Sequence, residues 1–135
     1  MGRYTVSTCH SLKLIPVDRI LRFGWTQSRV IMILPGEPSD VKAVPGTIKV
    51  SATTENGKIR KKINFSLSEV SDMTAGMLEC YKASLLVAVY TDESGNRRVS
   101  GSPDYPLSLD YTTEGGVFNV TLEGEDLHPD GFLTD

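Results

Sequence analysis

The stretch "YTDESGNRRVSG", residues 90–101, places Asp92, Ser94 and Asn96 at alternate positions ahead of two arginines. Oxygen-bearing side chains at such spacing can hold a hard cation, as in a calcium loop of pattern D-x-[DN]-x-[DN]-G closed by a Glu at position 12. Counted from Asp92, position 6 is Arg97 and position 12 is Pro103, so the turn glycine and the closing carboxylate are both missing. Arg97 and Arg98 would also bring positive charge to the cation. The stretch reads instead as the tight end of a β-hairpin, with Asp92 and Asn96 bonding nearby backbone groups and Gly95 in the left-handed conformation.

Nucleophilic catalysis needs a Ser or Cys beside a His that a carboxylate orients. The only histidines are His10 and His128, near opposite ends of the sequence, and Cys9 adjoins His10. Neighbours on a strand point to opposite faces, so Cys9 and His10 do not face each other if that segment is extended. A dyad of Cys80 with His128 or His10 would require the fold to bring distant segments together. Two cysteines are too few for a disulfide framework and are spaced unlike a zinc motif, so they read as reduced, largely buried thiols. The acidic run "EGEDLHPD" offers carboxylates and His128 to a metal, although a solvated acidic tail is the commoner meaning of such a run. No phosphate-cradling glycine loop is present. No catalytic set, metal site or cofactor is expected.

The basic residues are the remaining candidates. "KIRKK" at 58–62 and "NRR" at 96–98 could form a patch, with Arg60, Lys61, Lys62, Arg97 and Arg98, that touches nucleic acid or an acidic peptide. Against nucleic acid, the chain is acidic overall and no aromatic residues interleave with these basics as a stacking platform would require. Trp25, between Arg22 and Arg29, is either an interface anchor or core.

Strands must position these groups. "LKLI" (12–15) and "TIKVSAT" (47–53) alternate apolar with polar residues, and "VIMIL" (30–34) reads as a strand buried on both faces. Asn56-Gly57 supplies the two positive-φ residues of a type I′ turn between "IKVSAT" and "KIRKKINFSL". In the second arm Ile59, Lys61, Ile63, Phe65 and Leu67 share one face, opposite Arg60, Lys62, Asn64 and Ser66. "TTEGG" marks another hairpin between "YPLSLDY" and "VFNVTLEG". The one helix candidate spans 71–84, capped by Ser71 or Asp72, with Met73, Met77, Leu78 and Tyr81 facing the core and Gly76 limiting its length. Residues 35–46, with three prolines and two glycines, form either an interaction arm or a crossover between sheets. Residues 125–135 form an acidic tail that is mobile unless Phe132 and Leu133 dock.

A chain of 135 residues has the length of one domain, and the pattern predicts a single all-β or β-dominated α+β domain over 1–135. The architecture expected is an antiparallel sandwich or partly closed barrel with one short helix. The apolar runs fall far short of the roughly 20 residues that span a bilayer, and no signal peptide is evident, so no membrane association and a cytoplasmic location are expected. Charge is segregated along the chain: residues 1–63 carry net +7 and residues 64–135 net −10. Strands from the two halves could pair and neutralise each other. Alternatively, a molecule with opposite faces would associate head to tail with copies of itself.

Residues 85–109, "LLVAVYTDESGNRRVSGSPDYPLSL", resemble small β-rich structural proteins of tailed bacterial prophages: a hydrophobic strand, a D-x-x-G turn, "RVSGS", then "YPL". The resemblance covers about a third of the chain when "VFNVTLEG" is included. It implies a tail or connector protein, located in the virion, and carries no functional residue with it. The function expected is a non-enzymatic, self-associating structural or assembly subunit. The alternative is a β-barrel binding module that uses the basic hairpin patch.

Overall fold

The computed structural model describes residues 3–9, 11–68 and 70–134, with residues 3–8 described through their backbone. Eleven strands and one helix are present among them, so the fold is β-dominated with one short helix. Five strands form the first sheet: β1 (Arg3–Thr8), β5 (Lys49–Glu55), β6 (Lys58–Leu67), β10 (Val117–Asp126) and β9 (Ser108–Glu114), in that order and antiparallel throughout. The second sheet has six: β2 (Ser11–Pro16), β7 (Leu86–Thr91), β8 (Arg97–Ser100), β11 (Gly131–Leu133), β4 (Arg29–Ile33) and β3 (Arg22–Thr26). Its one parallel pair is β11 with β4.

Turn chemistry sets the hairpins. Asn56 and Gly57 have φ of 53° and 78° and join β5 to β6, as type I′ geometry demands. Gly115 and Gly116, at 60° and 80°, do the same for β9 and β10. Between β7 and β8, one carboxylate oxygen of Asp92 accepts the backbone N–H groups of Ser94 and Asn96 at 3.0 and 2.9 Å, and Gly95 sits at φ 86°. The opening stretch is thus a hairpin turn closed by its own aspartate.

Period-2 alternation in the second sheet gives it two buried faces. Leu12, Leu14, Leu86, Ala88 and Tyr90 pack against Ile63, Phe65, Val120 and Leu122 of the first sheet, making the core of a sandwich. The opposite face buries Ile15, Val30, Val87, Val89 and Val99, joined by Phe23, Trp25 and Met32. Every residue of this second cluster belongs to the second sheet or the segments flanking its strands, so the sheet packs on itself. The chain explains why. The edge strands β2 and β3 are consecutive, linked only by residues 17–21, part of which is a 3-10 turn (Val17–Arg19). Six residue steps reach about 20 Å fully extended, and less through a 3-10 turn, whereas a flat six-stranded sheet is about 24 Å wide. The sheet must curl, and it forms a half-barrel with its own interior.

Two expectations need correction, and one open alternative is resolved. The segment "VIMIL" is not buried on both faces: Val30 is fully buried and Met32 half-buried, but Ile31 and Ile33 are exposed, because β4 has the half-barrel on one side only. The helix α1 (Asp72–Lys82) does form, with Ser71 Oγ accepting the N–H of Thr74 at 3.2 Å. Its core stripe, however, is Ala75, Leu78 and Tyr81, spaced three apart, which turns Met73 and Met77 outward; Met73 is 85% exposed. The helix is tied to β9 by Tyr111 Oη donating to Glu79 at 2.7 Å and by Lys82 near Asp110 at 3.4 Å. Finally, Phe132 and Leu133 dock, and the tail segment becomes β11, an interior strand between β8 and β4.

Residues 35–46 carry the chain from the second sheet to the first. Val41 N–H donates to Leu12 O and Val44 N–H to Ser66 O, each at 2.8 Å, while Val41 and Ala43 pack on the sandwich core. This is a crossover between sheets, not a projecting arm.

Candidate functional site

The predicted basic patch is dispersed by the fold. On the outer face of β6, Arg60 lies 3.6 Å from Glu125 and Lys62 lies 3.7 Å from Glu123, each opposite its acid in the β6–β10 register. Further along the same face Thr121 donates to Asn64 at 2.9 Å and Ser66 to Asn119 at 3.0 Å. Four successive cross-strand pairs are therefore matched, and the basic first half of the chain is met here by the acidic second half.

Lys61 is not a surface cation. It alternates with Ile59 and Ile63 on the inner face and is 4% exposed, with Nζ 3.0 Å from both Asp126 Oδ2 and Asp130 Oδ1. Asp126 also accepts the backbone N–H groups of Leu127 and His128, and Asp130 accepts the hydroxyl of Tyr90. Burial first, and the charge of Asp130 second, push the Tyr90 phenol above the ordinary tyrosine range, so Tyr90 remains a donor. This buried network spans the crossing from β10 to β11 and fastens the two sheets together. Its groups bond one another, which makes it a structural element; such pairing is what allows a buried charge at all.

Arg97 and Arg98 alternate to opposite faces of β8. Arg98 is half-buried: its guanidinium lies 4.2 Å from the Phe132 ring centroid and donates to the carbonyls of Asp130 at 2.6 Å and Gly131 at 3.4 Å. It clamps β11 in place. Arg97 is exposed at the mouth of the half-barrel. Trp25 is half-buried inside the half-barrel, its ring centroid 5.4 Å from that of His128. A Cβ on Gly131 would overlap Trp25 Cζ3, so glycine there lets the indole fill the interior. His128 thus packs on Trp25, while Cys80, expected to be buried, is exposed, because α1 turns Ala75, Leu78 and Tyr81 to the core instead; the pairing of Cys80 with His10 lies outside the described residues.

The feature sequence reasoning missed is the outer face of the β3–β4 hairpin. Its register sets Arg22 opposite Ile33, Gly24 opposite Ile31 and Thr26 opposite Arg29. Ile31 and Ile33 are 48% and 45% exposed, and Leu21, whose N–H donates to Ile33 O at 2.9 Å, is 68% exposed. Gly24 leaves open space above the sheet. Two exposed isoleucines therefore share a face with Arg22 and Arg29 on a hairpin whose outer strand, β3, is the edge of the sheet, and exposed Leu21 lies just before that strand. A second exposed apolar group lies at α1, where Val70, Met73 and Met77 accompany Asp72. Clustered exposed aliphatics mark interaction surfaces more often than scattered ones do.

No protein-family model matches the chain, no curated protein matches it, and no solved structure matches its fold. No described helix is long and apolar enough to cross a membrane.

Proposed function

We propose that the protein is a non-enzymatic structural subunit that assembles with copies of itself head to tail. The observation that carries this reading is the outer face of the β3–β4 hairpin, aliphatic at Ile31 and Ile33 and basic at Arg22 and Arg29. Its complement is the α1 surface, aliphatic at Val70, Met73 and Met77 and acidic at Asp72. The two surfaces lie on different elements and differ in charge, so joining them is a heterologous contact, which closes into a ring or continues as a filament. Serial contacts of this kind suit the tail or connector role, possible in a prophage-derived virion, that the resemblance of residues 85–109 implies. Nucleic-acid binding through the basic hairpin is less well supported, because Arg60 and Lys62 face Glu125 and Glu123 and Lys61 is buried.

Light scattering on three samples tests the proposal. The native chain is expected to form oligomers that grow with concentration and weaken with salt, since the rims are oppositely charged. Ile33→Glu and Met73→Lys are each expected to be monomeric, yet an equimolar mixture should form dimers, because each variant keeps one intact surface. A native chain that stays monomeric at every concentration and salt overturns the reading, and a mixture that stays monomeric overturns its head-to-tail form.

A further inference from the structure

The half-barrel has a narrow end, with a cavity of about 190 Å³ beside Phe23, Trp25 and Val99, and a wider one. Trp25, Phe23, Val30 and Val99 occupy the interior, whereas the mouth holds a cavity of about 670 Å³. That volume is in the range of small-molecule sites, and barrel mouths are a frequent place for them. The walls divide by chemistry. Ile15, Met32, Val89 and Leu133 make an apolar floor continuous with the half-barrel core, and Ser11, Lys13 and Thr91 stand above it on β2 and β7.

We propose that this mouth binds a small amphipathic carboxylate, with its head group at Lys13 and its aliphatic body on the apolar floor. Lys13 is held loosely. Its neighbours Glu37 and Asp40 lie at 3.7 and 4.0 Å, beyond the roughly 2.7–2.9 Å of a charge-assisted hydrogen bond, and their side chains are 93% and 63% exposed. Such solvent-exposed pairs contribute little. A ligand carboxylate entering from the mouth can make the closer bond that the two acids do not. The hydroxyls of Ser11 and Thr91 bond each other at 2.8 Å, which uses one of their two hydroxyl hydrogens and leaves one to donate to the second carboxylate oxygen. Arg97, on the same rim, offsets the negative potential of Glu37 and Asp40. An inorganic anion would leave the floor uncovered. The mouth opens on the face of β4 opposite Ile31 and Ile33, so its ligand does not compete with the assembly surface.

Methyl NMR of the native chain with octanoate, acetate and octylammonium tests this. Octanoate is expected to shift the methyl signals of Ile15, Met32, Val89 and Leu133 saturably, while acetate and octylammonium leave them in place at the same concentration. Lys13→Gln should weaken octanoate by about ten-fold or more, the worth of one charged hydrogen bond. Glu37→Gln, a change at a fully solvated side chain, should tighten it by removing a competitor for Lys13. The proposal is overturned if octanoate produces no saturable shift, if octylammonium binds equally well, or if Glu37→Gln weakens octanoate. Unchanged affinity in a folded Lys13→Gln variant overturns it as well.

Discussion

Two strand-pair faces of this molecule carry arginines and solve the problem in opposite ways. On the outer face of β6 and β10 each polar residue from Arg60 to Ser66 meets a complementary one across the strand, and the surface is complete within one chain. On the outer face of β3 and β4 the cross-strand partners are Arg22 with Ile33 and Thr26 with Arg29, which do not complement each other. The difference shows that basic residues mean little until their cross-strand partners are known. The first surface is satisfied internally, and the second leaves aliphatic area and an open strand edge for something else to cover.

The contrast can be broken most forcefully beneath the first face. Lys61→Ala should lower stability by about 3–5 kcal/mol in urea denaturation, because Asp126 and Asp130 would remain buried without their cation. A smaller effect is expected beneath the second face. Gly131→Ala forces a methyl group onto Trp25 and should cost about 1–3 kcal/mol, with a changed Trp25 fluorescence as the accompanying signature. The smallest stability effect should come from the outer ladder itself. Glu123→Gln combined with Glu125→Gln should cost no more than about 1 kcal/mol, since exposed pairs contribute little. That double variant would nevertheless release Arg60 and Lys62, and salt-sensitive retention on heparin should become stronger than that of the native chain.

Local chemistry was readable and long-range pairing was not. Asn56-Gly57, Gly115-Gly116 and the Asp92 turn each depend on a few adjacent residues whose backbone preferences are strong, and each hairpin is where those residues place it. Alternation correctly put Lys61 on the inner face, but its partners lie 65 and 69 positions away, so the same lysine also looked like part of a basic patch. The helix was visible through its cap, yet Met73 and Met77 matched helical spacing as well as Ala75, Leu78 and Tyr81 do, and only packing chooses the buried stripe. "VIMIL" was ambiguous because an apolar run has no alternation to report which side faces solvent. The exposure of Ile31 and Ile33 stayed hidden for the same reason.

The place of β11 in the middle of the second sheet has a consequence for how the protein is made. Translation delivers β4 long before residues 131–133 and β8 somewhat before them, so both strands are made with a neighbour missing. Until Gly131–Leu133 arrives and Arg98 closes over Phe132, the sheet is split between β8 and β4 and the half-barrel cannot close. Those two gaping strands are the template onto which a nascent chain's neighbours could add a strand of their own, and the timing of three late residues decides whether a polysome yields separate molecules or entangled ones.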